Sequence, residues 1–201
     1  MGKFGKKVAL RTTFVSAVFL LILMTQTASG FSFNQTLFGF VWYATYDDLD
    51  GGGVPDDIYW NTTIVAIDLL WGGEDEKVKG VLVAALEYPS GETAWYLVFL
   101  KFTHLFTDLD FYFLNHATES GWYEAHLFTM SEETFKINRA YEGFWDSLAL
   151  RVNDSYVQNS FLDKVHYSSL VFDPPGGVGG TPPMLMVFAA DPDTKIKVDP
   201  L

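Results

Sequence analysis

Between Val78 and Tyr88 an apolar or small residue recurs at every second position (Val78, Gly80, Leu82, Ala84, Leu86, Tyr88), with Lys77, Lys79 and Glu87 on the opposite phase. A period of two marks a β-strand that turns one face to a core. Pro89-Ser90-Gly91 breaks the run as a turn, and Glu92 to Phe102 returns as a second apolar strand, which predicts a hairpin. Upstream, Leu37 to Tyr46 is aromatic and β-branched and reads as a first strand. Ile58 to Trp71 is a longer extended run with apolar residues on both phases after Ile64, as in a strand buried on both faces or one passing from edge to centre. Downstream, Leu109, Phe111 and Phe113 alternate with Asp110 and Tyr112, and Trp122 to Met130 places Tyr123, Ala125 and Leu127 on one face. Lys164 to Phe172 and Met184 to Ala190 supply two more extended segments.

Ser131 to Val152 departs from this pattern. Tyr141, Phe144, Trp145, Leu148 and Val152 fall at spacings of three and four, which predicts a helix packed on the sheet, with Gly143 as its weak point. The Pro- and Gly-rich stretch Asp173 to Pro183 can be neither helix nor central strand, and reads as a loop or short linker. Short strands without regular helix alternation predict a mainly β fold, an antiparallel sandwich with one short helix, rather than βαβ units. Glu119-Ser120-Gly121-Trp122-Tyr123-Glu124-Ala125 resembles the tyrosine corner of immunoglobulin-like sandwiches. Ala125 stands where that motif has cysteine, and Glu119 where it has aspartate. The resemblance implies an immunoglobulin-like sandwich; an ordinary turn-to-strand transition containing a glycine is the alternative.

The ends carry different signals. Met1 to Arg11 is basic, Phe14 to Met24 is apolar, and Thr25 to Gly30 is polar and small, the three parts of a secretory signal peptide. The apolar run is shorter than the ~20 residues of a comfortable span; an uncleaved anchor on the outer membrane face is the alternative. The predicted layout is a signal peptide at 1–30, a sandwich domain at 31–190 with an acidic loop at 47–57, and a C-terminal tail at 191–201. Export agrees with three glycosylation sequons, at Asn34, Asn61 and Asn153.

Composition narrows the chemistry. The chain of 201 residues has a formal net charge of −12, and without its first thirty residues 9 basic face 25 acidic groups, a net −16. Such a surface repels phosphate backbones and attracts cations, so nucleic acid is not an expected partner. The absence of cysteine removes disulfides, thiolate metal sites and cysteine nucleophiles. An exported chain without disulfides needs another source of rigidity, for which an aromatic core and a bound ion are available.

Acid is concentrated at Tyr46-Asp47-Asp48-Leu49-Asp50-Gly51-Gly52-Gly53-Val54-Pro55-Asp56-Asp57. Calcium takes six to eight hard oxygen ligands on a loop able to wrap around it. Asp48 to Asp57 resembles the Asp-rich calcium loops of thrombospondin type-3 repeats, dockerins and EF-hands. The resemblance implies Asp48 and Asp50 as first and third ligands, Gly53 at the sharp turn, Val54 as a carbonyl ligand and Asp56 at the ninth position. Asp57 adds an oxygen directly or through water. Gly52 and Tyr59 stand where those loops place a fifth acidic or amide ligand and the bidentate Glu, so another segment must close the shell or the site is weak. The alternative is a solvated acidic hairpin.

Other constellations are thin. His104, His116, His126 and His166 show no H-x-x-x-H spacing, which argues against a histidine zinc site. His126 is expected to face solvent or a groove. Asp108 and Asp110 share a strand face without a second, separately placed acid. No catalytic constellation is visible, and the chain reads as a non-enzyme. Of six tryptophans, Trp60 and Trp122 have polar neighbours and are candidates for a carbohydrate face. The layout resembles small exported domains common in archaea. The expectation is a secreted or cell-surface structural or adhesion domain, stabilised by calcium and without a membrane span in the mature chain. Its expected partners are other surface proteins or further copies paired through sheet edges; a carbohydrate-binding module is the alternative.

Overall fold

The computed structural model describes residues 37–67, 77–153, 164–172 and 182–201, all within the second of two units into which the chain divides, Asn34–Leu201. The predicted signal segment, Asn34 and Trp71 lie outside the described residues. The strands are β1 (Leu37–Asp47), β2 (Asp57–Ala66), β3 (Val78–Glu87), β4 (Thr93–Phe102), β5 (Phe106–Leu114) and β6 (Tyr123–Ser131). Helices α1 (Glu132–Asn138) and α2 (Phe144–Asn153) follow, then β7 (His166–Phe172), β8 (Met184–Ala189) and β9 (Lys195–Pro200).

The strands form two antiparallel sheets, ordered β1-β2-β5-β8 and β7-β6-β3-β4-β9. This is the mainly β sandwich that the alternation predicts, and β3 and β4 pair as the expected hairpin from Val78↔Phe102 to Glu87↔Thr93. Part of the neighbour order is similar to that of an immunoglobulin variable-type sandwich: β1, β2 and β5 lie side by side as A, B and E do, and β7, β6, β3 and β4 as G, F, C and C′ do. The last two strands, β8 and β9, fill the places beside E and C′. The tyrosine corner is formed at the start of β6. Tyr123 Oη donates to the Glu119 carbonyl at 3.0 Å and accepts from the Glu119 N–H at 2.8 Å. The Glu119 carboxylate also accepts from Ser90 N–H at 2.8 Å, tying the corner to the β3–β4 turn. Between them Gly121 has φ +130°, and a Cβ there would meet Pro89 at 3.0 Å, so only glycine suits the position.

Two cores result. Ile58, Trp60, Leu82, Phe111, Phe113 and Tyr123 fill the space between the sheets. Val81, Val83, Phe128 and Met130 point from the other face of the five-stranded sheet and are covered by Phe135 of α1 and by Phe144, Leu148 and Val152 of α2. The helical interval therefore packs on the sheet as its spacing predicts, but as two helices rather than one, with Gly143 between them. Tyr141, read as part of the apolar stripe, is more than half exposed, while Trp145 is partly exposed at the rim with its ring against Phe135 and Phe144.

The predicted tail is a correction. Lys195 to Pro200 pairs with β4, with Ile196 and Val198 packed on the inter-sheet core and Lys195, Lys197 and Asp199 on the opposite phase. Those alternating charges suit a strand at a sheet edge. No helix among the described residues is long and apolar enough to cross a membrane.

Candidate metal centre

The acidic loop joins β1 to β2, and one buried side chain organises it. Asp57 Oδ2 accepts the N–H groups of Leu49 at 2.7 Å and Asp50 at 2.9 Å, while its Oδ1 accepts Asn115 N–H at 2.7 Å. Asp48 Oδ2 accepts Gly53 N–H at 2.9 Å, and Asp50 Oδ1 accepts Gly52 N–H at 2.8 Å. Gly51 and Gly53 sit at φ 77° and 84°, the left-handed region that folds the loop back over its own carboxylates. The result is convergence. Asp48, Asp50 and Asp57 each offer a carboxylate oxygen, and these oxygens lie within 4.8 Å of one another.

Two oxygens there are buried and accept no hydrogen bond, Asp48 Oδ1 and Asp56 Oδ2. A buried carboxylate oxygen without a donor is costly unless a cation meets it. Burial raises the pKa of Asp56, and the neighbouring charges of Asp57, Asp50 and Asp48 push it the same way. Asp56 lies outside the group of three converging carboxylates. Its N–H donates to the Val54 carbonyl at 2.9 Å, and its own carbonyl accepts Ala117 N–H at 2.7 Å. The Val54 carbonyl is thus already engaged within the loop. Tyr59, at the twelfth position of the calcium-loop pattern, instead donates its hydroxyl to Asp110 at 2.6 Å.

The second segment at the site comes from the end of β5, which the sequence reading did not nominate. Asn115 is buried with φ 57°, the one non-glycine residue in the left-handed region among the described residues. Its N–H holds Asp57, and its side-chain amide lies 3.5 Å from Asp50 Oδ2. Asn tolerates this conformation better than most residues, which is the only signal the sequence carried. Beside it His116 is fully buried: its Nδ1–H donates to the Leu114 carbonyl at 2.8 Å, and Tyr96 Oη donates to its Nε2 at 2.6 Å. Burial lowers its pKa to about 4, so the ring is neutral.

No family model, curated protein or solved structure matches this chain. The site is therefore read from its own geometry.

The remaining predicted positions scatter. Trp60 is at 0% exposure in the inter-sheet core, against the phenyl rings of Phe113 and Phe111, and belongs to no ligand face. Its polar neighbours Tyr59 and Asn61 misled the reading, because they alternate outward on a strand that sends Trp60 inward. Trp122 is 67% exposed, just before β6. Asn61 is buried in β2 with its amide nitrogen donating to Asp110 at 2.8 Å. The side chain of Asn153 lies outside the described residues. His126, expected in solvent or a groove, has no exposure at all.

An aromatic row that sequence reasoning missed crosses the outer face of the four-stranded sheet. Tyr43, Tyr59, Tyr112 and Phe188, one from each strand, make ring contacts in succession at centroid distances of 6.3, 5.3 and 5.6 Å. Tyr43 and Phe188 are exposed. Asp110 sits among them, and Asp108 accepts from Thr63 Oγ1 on the same face. The signal was the register β1-β2-β5-β8, which no single strand discloses.

Proposed function

We propose that this is an exported, non-enzymatic structural or adhesion domain whose β1–β2 loop binds calcium. The observation that carries the reading is the convergence of Asp48, Asp50 and Asp57 beside a buried Asp48 oxygen with no donor. A donor set of carboxylate oxygens on a glycine-hinged loop suits a hard cation with many ligands and adaptable geometry. Magnesium, which prefers strict octahedral geometry and retains its water, suits it less. The absence of a bidentate Glu places the expected affinity at roughly 10⁻⁴–10⁻³ M. Calorimetric titration of chelator-stripped protein with calcium tests this: the wild type gives saturable binding, and Asp48→Ala/Asp50→Ala gives none. Equal heats from both proteins would remove the loop from the account.

For adhesion, one side of the sandwich is already closed. The N–H groups of Gly39 and Val41 on the β1 edge donate to His166 Nδ1 and Ser168 Oγ of β7, each at 3.3 Å. Pairing with surface proteins or further copies then falls to β8 and β9. There Lys195 and Lys197 join Lys79 and Lys101 along a groove, complementary to the acid elsewhere on a chain of net charge −12.

A second reading, carbohydrate binding, is favoured by the Tyr43–Tyr59–Tyr112–Phe188 row. Sugar rings stack on aromatic faces, and Asp108, Asp110 and Asn61 supply polar groups between them. Affinity electrophoresis through soluble polysaccharides tests it: retardation lost in Tyr43→Ala/Phe188→Ala supports the reading, and migration unchanged in every polysaccharide ends it.

A further inference from the structure

The outer face of the five-stranded sheet carries a second cluster, beyond the part that α1 and α2 cover. Glu87 of β3 lies directly opposite Glu124 of β6, and His126 is opposite Ala85 in the same register. All three residues point to the face that carries Val83 and Phe128. Like charges directly opposite each other on neighbouring strands destabilise a sheet unless something lies between them. Among the described residues neither glutamate pairs with a lysine or arginine; the only basic group either one meets is the His126 ring.

That ring is an unusual neighbour. It is fully buried, its Nε2 has no hydrogen-bond partner, and the same Nε2 stands 3.3 Å from Glu87 Oε2. The other ring nitrogen is held: Nδ1 lies 2.8 Å from Tyr167 Oη of β7, whose ring stacks on the imidazole at 6.0 Å and 19°.

We propose that Glu87, Glu124 and His126 form a second metal site, for a borderline divalent transition ion such as zinc. One imidazole with two carboxylates is a donor set for such ions, in contrast to the all-oxygen loop. Two ligands on a tetrahedral zinc ion stand about 3.4 Å apart, close to the 3.3 Å between Nε2 and Glu87 Oε2. The three residues offer ligand atoms that all lie within 4.8 Å of one another. Glu124 Oε1 stands 3.8 Å from Nδ1 on a side chain that is 34% exposed, so ligation through Nε2 requires its carboxylate to turn toward that nitrogen. With Nε2 on the metal, Nδ1–H donates to Tyr167 Oη, the second contact that a ligating histidine requires. Three protein ligands leave a fourth position for water, and the ion clamps β3 to β6 beyond the helices.

The test uses the whole protein, stripped with chelator and titrated with zinc, then with cobalt(II) as a spectroscopic probe. The expected result is zinc binding that survives Asp48→Ala/Asp50→Ala and is weakened at least tenfold by Glu124→Gln. Glu124 is partly exposed, so that variant keeps the fold, which circular dichroism checks. His126→Gln abolishes the cobalt bands if it folds. Zinc binding lost with the loop aspartates, unchanged in folded Glu124→Gln, or absent from the wild type overturns the proposal.

Discussion

The acidic loop and the Glu87–Glu124–His126 cluster gather negative charge by opposite means. In the loop, neighbours in sequence fold back on themselves, and backbone N–H groups hold the carboxylates in place. On the sheet, residues from separate strands are brought together by register. The loop offers only oxygen; the sheet adds a buried nitrogen. The difference teaches that local sequence can supply charge and hinge, whereas a mixed nitrogen and oxygen site here needs the sandwich first. It also predicts that the two sites fail differently.

The largest effect is expected at Asp57, because it belongs to the scaffold as well as to the donor set. Asp57→Ala removes the acceptor for three N–H groups and detaches the loop from the end of β5. The expected loss is about 3–5 kcal/mol, with or without calcium. Urea unfolding measures it; a loss seen only with calcium present would make Asp57 a ligand and nothing more.

Acid sharpens the contrast next. His116 has a folded pKa of about 4 against an ordinary 6.5, a base whose folded value is depressed. The unfolded chain takes up that proton first, so stability is full above pH 6.5 and falls toward pH 4, by on the order of 3 kcal/mol for a fully buried ring. His166, also lowered to about 4 by burial, acts in the same direction. Asp56 and Glu87 oppose them: their folded pKa values are raised, so acidification relieves the cost of ionising them. Unfolding midpoints from pH 7 to 4 should therefore decline in the wild type and decline less in His116→Gln. An identical slope in that variant would remove His116 as a cause.

A smaller effect isolates the frame from both sites. Tyr123→Phe keeps the ring in the core and removes the two corner bonds to Glu119. About 1 kcal/mol should be lost, with calcium and zinc binding unchanged. A change in either binding constant would show that the corner positions the sites.

Much of the frame was legible. An apolar or small residue at every second position from Val78 to Tyr88 suits a strand, and Pro89-Ser90-Gly91 leaves the chain little choice but to turn. The tyrosine corner was readable because its parts are adjacent in sequence. So was the loop, where Asp48 and Asp50 were nominated directly and Asp57 as a further oxygen, the three residues whose carboxylates converge. Strand β9 was missed because Lys195, Lys197 and Asp199 alternate with only two apolar residues, Ile196 and Val198, which resembles a solvated tail until β4 lies beside it. Asn115, His126 and the tyrosine row were missed for a common reason. Each owes its position to pairing between strands far apart in the chain, and no local period records that.

The central claim is that calcium stabilises the domain through the β1–β2 loop. The most direct test is urea unfolding of wild type and Asp48→Ala/Asp50→Ala, each with chelator and with calcium at ten times the wild-type dissociation constant. The account predicts a gain of about 1.4 kcal/mol for the wild type and none for the variant. A wild type whose unfolding free energy is the same with chelator and with calcium would contradict it.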